Sequence, residues 1–343
     1  MICETKPFGT TKDGQAVTAY QLVNSNGMKA VILNYGCILQ SLFVPDRSGR
    51  LVDVVLGYNT IQEYEENNGY LGAFIGRVGN RIGHGEFELD GTLYHVATND
   101  RGNHLHGGIN GFNKKMYDAQ INGDELVFSR ISTDGEEGYP GKLLSTVRYR
   151  LGDDNDLHIS YSAISDKDTL FNPTNHSYFN LSGGGTVLGH ELSICADHFC
   201  EADENCLPTG RLIPVDGTPF DFREAKSVGL DILADDEQLR RGNGYDHNFC
   251  LSDTADFKRV ACLYAKDTGI EMCCSSNMPG VQLYTANGLT TRPGKVREMG
   301  RRDALCLETQ FWPDAIHHPD FPSAVLRAGV NFVSQTVYRF TIR

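Results

Sequence analysis

The chain is poor in the features that would tie it to nucleic acid, to a membrane or to a disulfide framework. Lys and Arg number 31 against 44 Asp and Glu, a formal net charge of -13 over 343 residues. Binding to a phosphate backbone rests on clustered cations that displace counterions, so no nucleic-acid partner is expected. No stretch approaches the roughly 18 apolar residues of a membrane-spanning helix. The first residues, MICETKPFGT, have neither the basic start nor the apolar core of a secretory signal. A soluble, cytoplasmic protein is therefore expected. The 10 cysteines are scattered and form no CxxC pair, which argues against a zinc site and for mostly reduced thiols. The adjacent Cys273 and Cys274 would point to opposite faces of a strand. No Pro- or Ser-rich linker, low-complexity tract or repeat divides the chain, so residues 1–343 read as one domain.

What is present is alternation punctuated by turns. Asp90-Gly91 sits between FEL and TLYHV, where both central residues of a type I′ turn need positive φ, so a hairpin is expected. Further hairpins are expected at Asn26-Gly27, Asn122-Gly123, the stretch from Gly152 to Asp156, and Thr268-Gly269. Helical periodicity is weak, with Thr60 to Asn67 and Ser227 to Arg241 as the best candidates. The expected fold is all-β, one large antiparallel β-sandwich with few short helices. The glycine-rich GAFIGRVGNRIG, residues 72–83, matches neither a phosphate loop nor a dinucleotide fingerprint.

Four clusters place polar or ionisable groups inside strand-like apolar stretches, where an unpaired polar group costs roughly 1 to 3 kcal/mol. In NPTNHSYFNL, residues 172–181, an extended chain puts Thr174, His176, Tyr178 and Asn180 on one face, with Phe179 and Leu181 on the other. Such a histidine is either a satisfied sheet residue or part of a wet cleft. In LCLETQFWPD, residues 305–314, Leu305, Leu307 and Phe311 oppose Glu308 and Gln310. Glu308 is then a buried ion-pair partner or a base with a tuned pKa, and Trp312 is a core residue or a platform for a sugar ring. In RGNHLHGG, His104 and His106 share one side of an extended strand. A metal would need further ligands that are not apparent, so hydrogen bonding to a ligand is the preferred reading. Asn80, Arg81, Asp246 and Gln282 are amide or bidentate groups suited to vicinal hydroxyls, although each alone is more often a cap or a surface residue.

Taken in order, GRVGNRI, LHGG, DGEEGYPG, NHSYFNL, GYDHNF and ETQFWPD resemble the motif set of the aldose 1-epimerase family, across essentially the whole chain. The resemblance implies a β-supersandwich with its site in an open cleft, His176 as general acid and Glu308 as general base. It further implies sugar contacts from Asn80, Arg81, His106, Asp246 and Gln282, with Tyr178 beside the catalytic histidine. The implied ligand is a free aldose such as galactose or glucose, handled by a monomer or weak homodimer. Opening and reclosing the sugar ring needs one acid and one base, so no cofactor or metal is expected. Two positions depart from the family pattern, Pro173 and His104, and neither touches the proposed pair. Rival readings are a glycoside hydrolase using Asp246 and Glu308, a non-catalytic carbohydrate-binding protein, and a hexose-phosphate epimerase in which Arg77 and Arg81 would meet the phosphate.

Overall fold

Alternating burial builds the sheets. In the computed structural model, which describes residues 2–66, 69–251 and 256–343, the strands Leu143–Leu151 and Asp156–Ser165 bury every second residue, as a half-solvated antiparallel sheet requires. They belong to a nine-stranded sheet. Its inner face contributes Val147, Tyr149, Leu157, Ile159, Met272, Cys274 and Tyr338 to the main core. The same core takes Leu22, Ala30 and Ile32 from an N-terminal five-stranded sheet, and Phe199, Phe249, Val281 and Leu307 from a second five-stranded sheet. That second sheet runs in the spatial order Pro208–Pro214, His198–Ala202, Asp246–Cys250, Gly280–Tyr284, Cys306–Gln310. The Tyr338 hydroxyl donates to the Leu307 carbonyl at 3.0 Å, tying the large sheet to it. The expected sheet-rich sandwich is what forms.

All five expected hairpins form. At the clearest, Leu89 pairs with Thr92, and Asp90 and Gly91 have φ of 51° and 76°, the two positive values a type I′ turn demands.

The helices are shorter than expected. One spans Ile61–Glu66, with Asn67 outside the described residues. The other is confined to Glu237–Gly242, because the Asp236 carboxylate accepts from the Gln238 and Leu239 amides and so fixes the start, while left-handed Asn243 ends it. Ser227 lies instead in a short strand. Aspartates at 231, 235 and 236 favour turns and caps over helix interior.

The cysteines also differ in one respect. Cys262 and Cys273, directly opposite on neighbouring strands, are joined as a disulfide, and the other eight are free. Strand register, invisible in the sequence, brings that pair together. Cys274 faces the core, as alternation requires. No helix among the described residues is long and apolar enough to cross a membrane.

Candidate active site

The floor of the site is the antiparallel pairing of Gly280–Tyr284 between Asp246–Cys250 and Cys306–Gln310. Register places Gln282 opposite Glu308, Tyr284 opposite Cys306, and Asp246 opposite Tyr284. With a side-chain period of two, Cys306 and Glu308 share the cleft face while Leu307 enters the core. The cleft above has a volume of about 380 Å³. It is lined by the eight residues that the family resemblance implied for the site: Asn80, Arg81, His106, His176, Tyr178, Asp246, Gln282 and Glu308.

His176 reaches the cleft from a locked loop rather than from a long strand. Only Thr174–Asn175 pair as strand, against Phe74–Ile75. The His176 amide then donates to the Ala73 carbonyl and its own carbonyl accepts from Gly72. The Asn175 side chain bonds the Gly72 carbonyl and the Ser177 amide. His176 Nε2 lies 3.6 Å from Glu308 Oε1, both side chains at most 5% exposed. Tyr70 and Tyr178 stack on the imidazole with centroids at 5.8 and 5.0 Å, while His106 and Tyr284 meet it edge-on. Burial lowers the His176 pKa from the ordinary imidazole value to about 4. Burial, reinforced by Asp246 and opposed by Arg81, pushes the Glu308 carboxyl well up. Glu308 Oε2 has no hydrogen-bond partner among the described residues.

The opposite wall depends on left-handed backbone. Asn80 and His106 have φ of 60° and 52°, conformations uncommon for residues with a Cβ and more tolerated by Asn and His. They bond each other reciprocally: the Asn80 amide donates to His106 Nδ1 and the His106 amide to the Asn80 carbonyl. An Nδ1 that accepts leaves the proton of neutral His106 on Nε2, a donor for a ligand oxygen. Gly107 lies so close that a Cβ there would sit 1.8 Å from the Gly76 carbonyl oxygen. Arg81 pairs with Asp100 at 2.9 Å. Burial works against its charge, but Asp246 and Asp100 hold its pKa above the ordinary value. Asp246 accepts from the Gln282 amide at 2.7 Å. Its carboxyl is raised by burial and restrained by Arg81 and this hydrogen bond.

Several expectations are corrected. His104 and His106 do not share a face, because the strand ends at Leu105. His104 turns inward to the Ala97 carbonyl and the Tyr139 hydroxyl. Trp312 packs on Phe321 and donates to the Pro279 carbonyl, away from the cleft. Gln310 bonds Asn248, and the Asn180 amide ties the carbonyls of Gly185 and Asp303. Thr174 is buried behind the site. Arg77 is 2% exposed and donates to the carbonyls of Ser132, Thr133, Pro140 and Gly141, so it is unavailable to a phosphate.

Tyr70, Tyr284, Cys306, Asp100, Arg101 and Arg292 were not anticipated. Two of them carried a signal: Tyr284 and Cys306 each lie two residues from a chosen site residue on the same strand face. Tyr70 and Arg101 come from loops, where no periodicity operates, and Arg292 from the strand Arg292–Pro293, too short to show one.

The family model for aldose 1-epimerase matches residues 18–339. Galactose mutarotase of Rattus norvegicus is 40% identical over 96% of this chain and 95% of its own length. That of Homo sapiens is 41% identical over 98% and 97%. The crystal structure of galactose 1-epimerase from Lactobacillus acidophilus NCFM superimposes with a TM-score of 0.88 at 29% identity, covering 100% of this chain and 99% of the other. With these likenesses spanning nearly its full length, the chain belongs to the aldose 1-epimerase family.

Proposed function

We propose that the protein interconverts the α and β anomers of a free aldose, with Glu308 as general base and His176 as general acid. The observation that carries this reading is the buried contact of 3.6 Å between Nε2 and Oε1 on the cleft floor. O1 and the ring oxygen are both bonded to C1, so a base for one and an acid for the other must converge within the reach of a single carbon.

The steps balance. Glu308 takes the proton of the C1 hydroxyl as the C1 carbonyl forms. The bond from C1 to the ring oxygen breaks, and that oxygen takes a proton from His176 Nε2. Rotation about C1–C2 presents the other carbonyl face. Reclosure returns both protons, leaving either anomer and the original enzyme.

The ion pair and the neutral pair contain the same number of protons, so ring opening only redistributes one proton between Glu308 and His176. Burial lowers the His176 pKa and raises that of Glu308. The neutral pair, which accompanies the open-chain aldehyde, is thus the form the buried site favours. In this reading Arg81, His106, Asp246 and Gln282, which line the cleft, clamp the hydroxyls remote from C1 while C1 turns.

Substrate class is tested by polarimetry on fresh α-galactose beside fresh α-glucose 6-phosphate. The free sugar is expected to be the better substrate by at least tenfold in kcat/KM, about 1.4 kcal/mol, because Arg77 is consumed internally and Arg81 is paired with Asp100. A preference for the phosphate would transfer the reading to hexose phosphates. The proposed setting is the cytoplasm, in keeping with eight free cysteines, and the proposed state is a monomer or weak homodimer.

A further inference from the structure

Among the described residues, those lining the cleft include none from the motif DGEEGYPG, residues 134–141. The motif grips the cleft wall from behind instead. The hydroxyl of Tyr139 lies 2.6 Å from His104 Nε2, and His104 Nδ1 lies 2.8 Å from the Ala97 carbonyl. A carbonyl only accepts, so His104 carries its proton on Nδ1, and its bare Nε2 accepts from Tyr139. Both side chains are fully buried. Two residues before Tyr139, the Glu137 carboxylate accepts from the Ile109 amide at 2.9 Å. It lies so close to the chain that a Cβ on Gly108 would collide with it. His106 sits between these two holds, two residues after His104 and three before Ile109.

We propose that DGEEGYPG is a clasp that positions His106 for the sugar, with Tyr139 and Glu137 as its positioning residues. The proposal deepens the functional reading above, since it rests on His106 meeting a sugar hydroxyl.

The backbone around His106 needs such a hold. The strand before it pairs only two residues, His104 with Ile82 and Leu105 with Arg81. His106, Gly107 and Gly108 then have φ of 52°, 78° and 103°, a run outside any regular ladder. Beyond the two bonds to Asn80, the segment is therefore steadied from outside. A donor held in place before its ligand arrives avoids the entropy cost of ordering on binding.

The clasp is itself anchored. Glu136 pairs with Arg130 and Lys115, and the carbonyls of Pro140 and Gly141 each accept from Arg77 at 2.7 Å. Arg77 follows Gly76, whose carbonyl lies against Gly107, so the motif reaches the His106 loop through that route as well. Histidine at 104, one of the two departures from the family pattern, is what gives the Tyr139 hydroxyl its acceptor.

Three variants test the clasp. Tyr139→Phe deletes only the hydroxyl, Glu137→Ala deletes the carboxylate, and Glu137→Gln keeps an oxygen that accepts from Ile109. Galactose affinity by titration calorimetry and KM by polarimetry are expected to weaken about fivefold in Tyr139→Phe and in Glu137→Ala, within the worth of one hydrogen bond. The kcat should stay within about twofold, the sign of lost uniform binding. Glu137→Gln should stay within about twofold of wild type throughout.

A His106→Asn background separates positioning from general loss of stability. Asn tolerates the left-handed backbone, and its amide ends short of the place of Nε2. In that background neither Tyr139→Phe nor Glu137→Ala should weaken galactose binding further. Wild-type affinity in either single variant, Glu137→Gln as weak as Glu137→Ala, or the same losses in the His106→Asn background would overturn the proposal. Should Tyr139→Phe fail to fold, the two Glu137 variants and the His106→Asn background decide it alone. Affinities that fall as expected in a protein that does not accelerate mutarotation would support the clasp and overturn the functional reading instead.

Discussion

Replacing Glu308 with Gln is expected to lower kcat for mutarotation about 10³-fold, some 4 kcal/mol of barrier, within the range of positioned proton transfer. The substitution is nearly isosteric, and the strand that carries residue 308 is held by register with Gly280–Tyr284, so the fold should be retained. Chemistry is what changes. An amide does not accept the C1 hydroxyl proton, and one orientation of its NH₂ would point a donor at the Nε2–H it should balance. KM should move by less than about threefold, since Arg81, Asp246, Gln282 and His106 still line the cleft. Polarimetry over a range of sugar concentrations separates the two constants. A variant with raised KM and intact kcat would make Glu308 a binding residue.

The second large effect is acid lability. Five histidines, His104, His106, His176, His190 and His247, are buried. All have pKa values lowered chiefly by desolvation, to about 4 for His104, His176 and His190, about 3 for His247, and well below normal for His106. Geometry gives three of them an independent reason to stay neutral. His106 Nδ1, His190 Nε2 and His247 Nδ1 accept hydrogen bonds from the backbone amides of Asn80, Leu181 and Asp246, which a protonated nitrogen does not.

Folding lowers these pKa values, so between the folded values and about 6.5 the unfolded chain holds more protons than the native one. Stability therefore falls as pH falls through that window, by about 1.4 kcal/mol per pH unit for each such ring once below about 6. Glu308 and Asp246, whose pKa values are raised, act in the opposite sense but are fewer. Urea midpoints at pH 7 and pH 5 should differ steeply, with cooperative unfolding in acid above pH 4. His190→Gln should flatten the dependence, because an amide oxygen still accepts from Leu181. A midpoint unchanged between pH 7 and pH 5 would show that these rings are not neutral on folding.

Much of the sheet and of the site was legible because period-two alternation is a local property. Asp90-Gly91 announced its hairpin, and Phe179 with Leu181 announced the core behind His176. The family resemblance then implied site residues in six separated stretches, including Asp246 and Gln282, whose spacing alone could not show that they meet. What stayed hidden depends on pairing or on backbone sign. The Cys262–Cys273 bridge requires knowledge of register. The separation of His104 from His106 requires the left-handed turn at His106, which periodicity does not encode. The neutral state of His176 required its aromatic enclosure, and Arg77 could be assigned to the fold only once its loop partners were placed.

The account stands most directly on whether His176 and Glu308 act as one unit, which a double-substitution cycle measures. Optical rotation of fresh α-galactose is followed with wild type, His176→Asn, Glu308→Gln and the double variant. Each single substitution is expected to cost about 10³ in kcat, and the double variant scarcely more than either, because an acid without its base moves no net proton through the sugar. A near-normal rate in either single variant, or losses that multiply in the double variant, would contradict it.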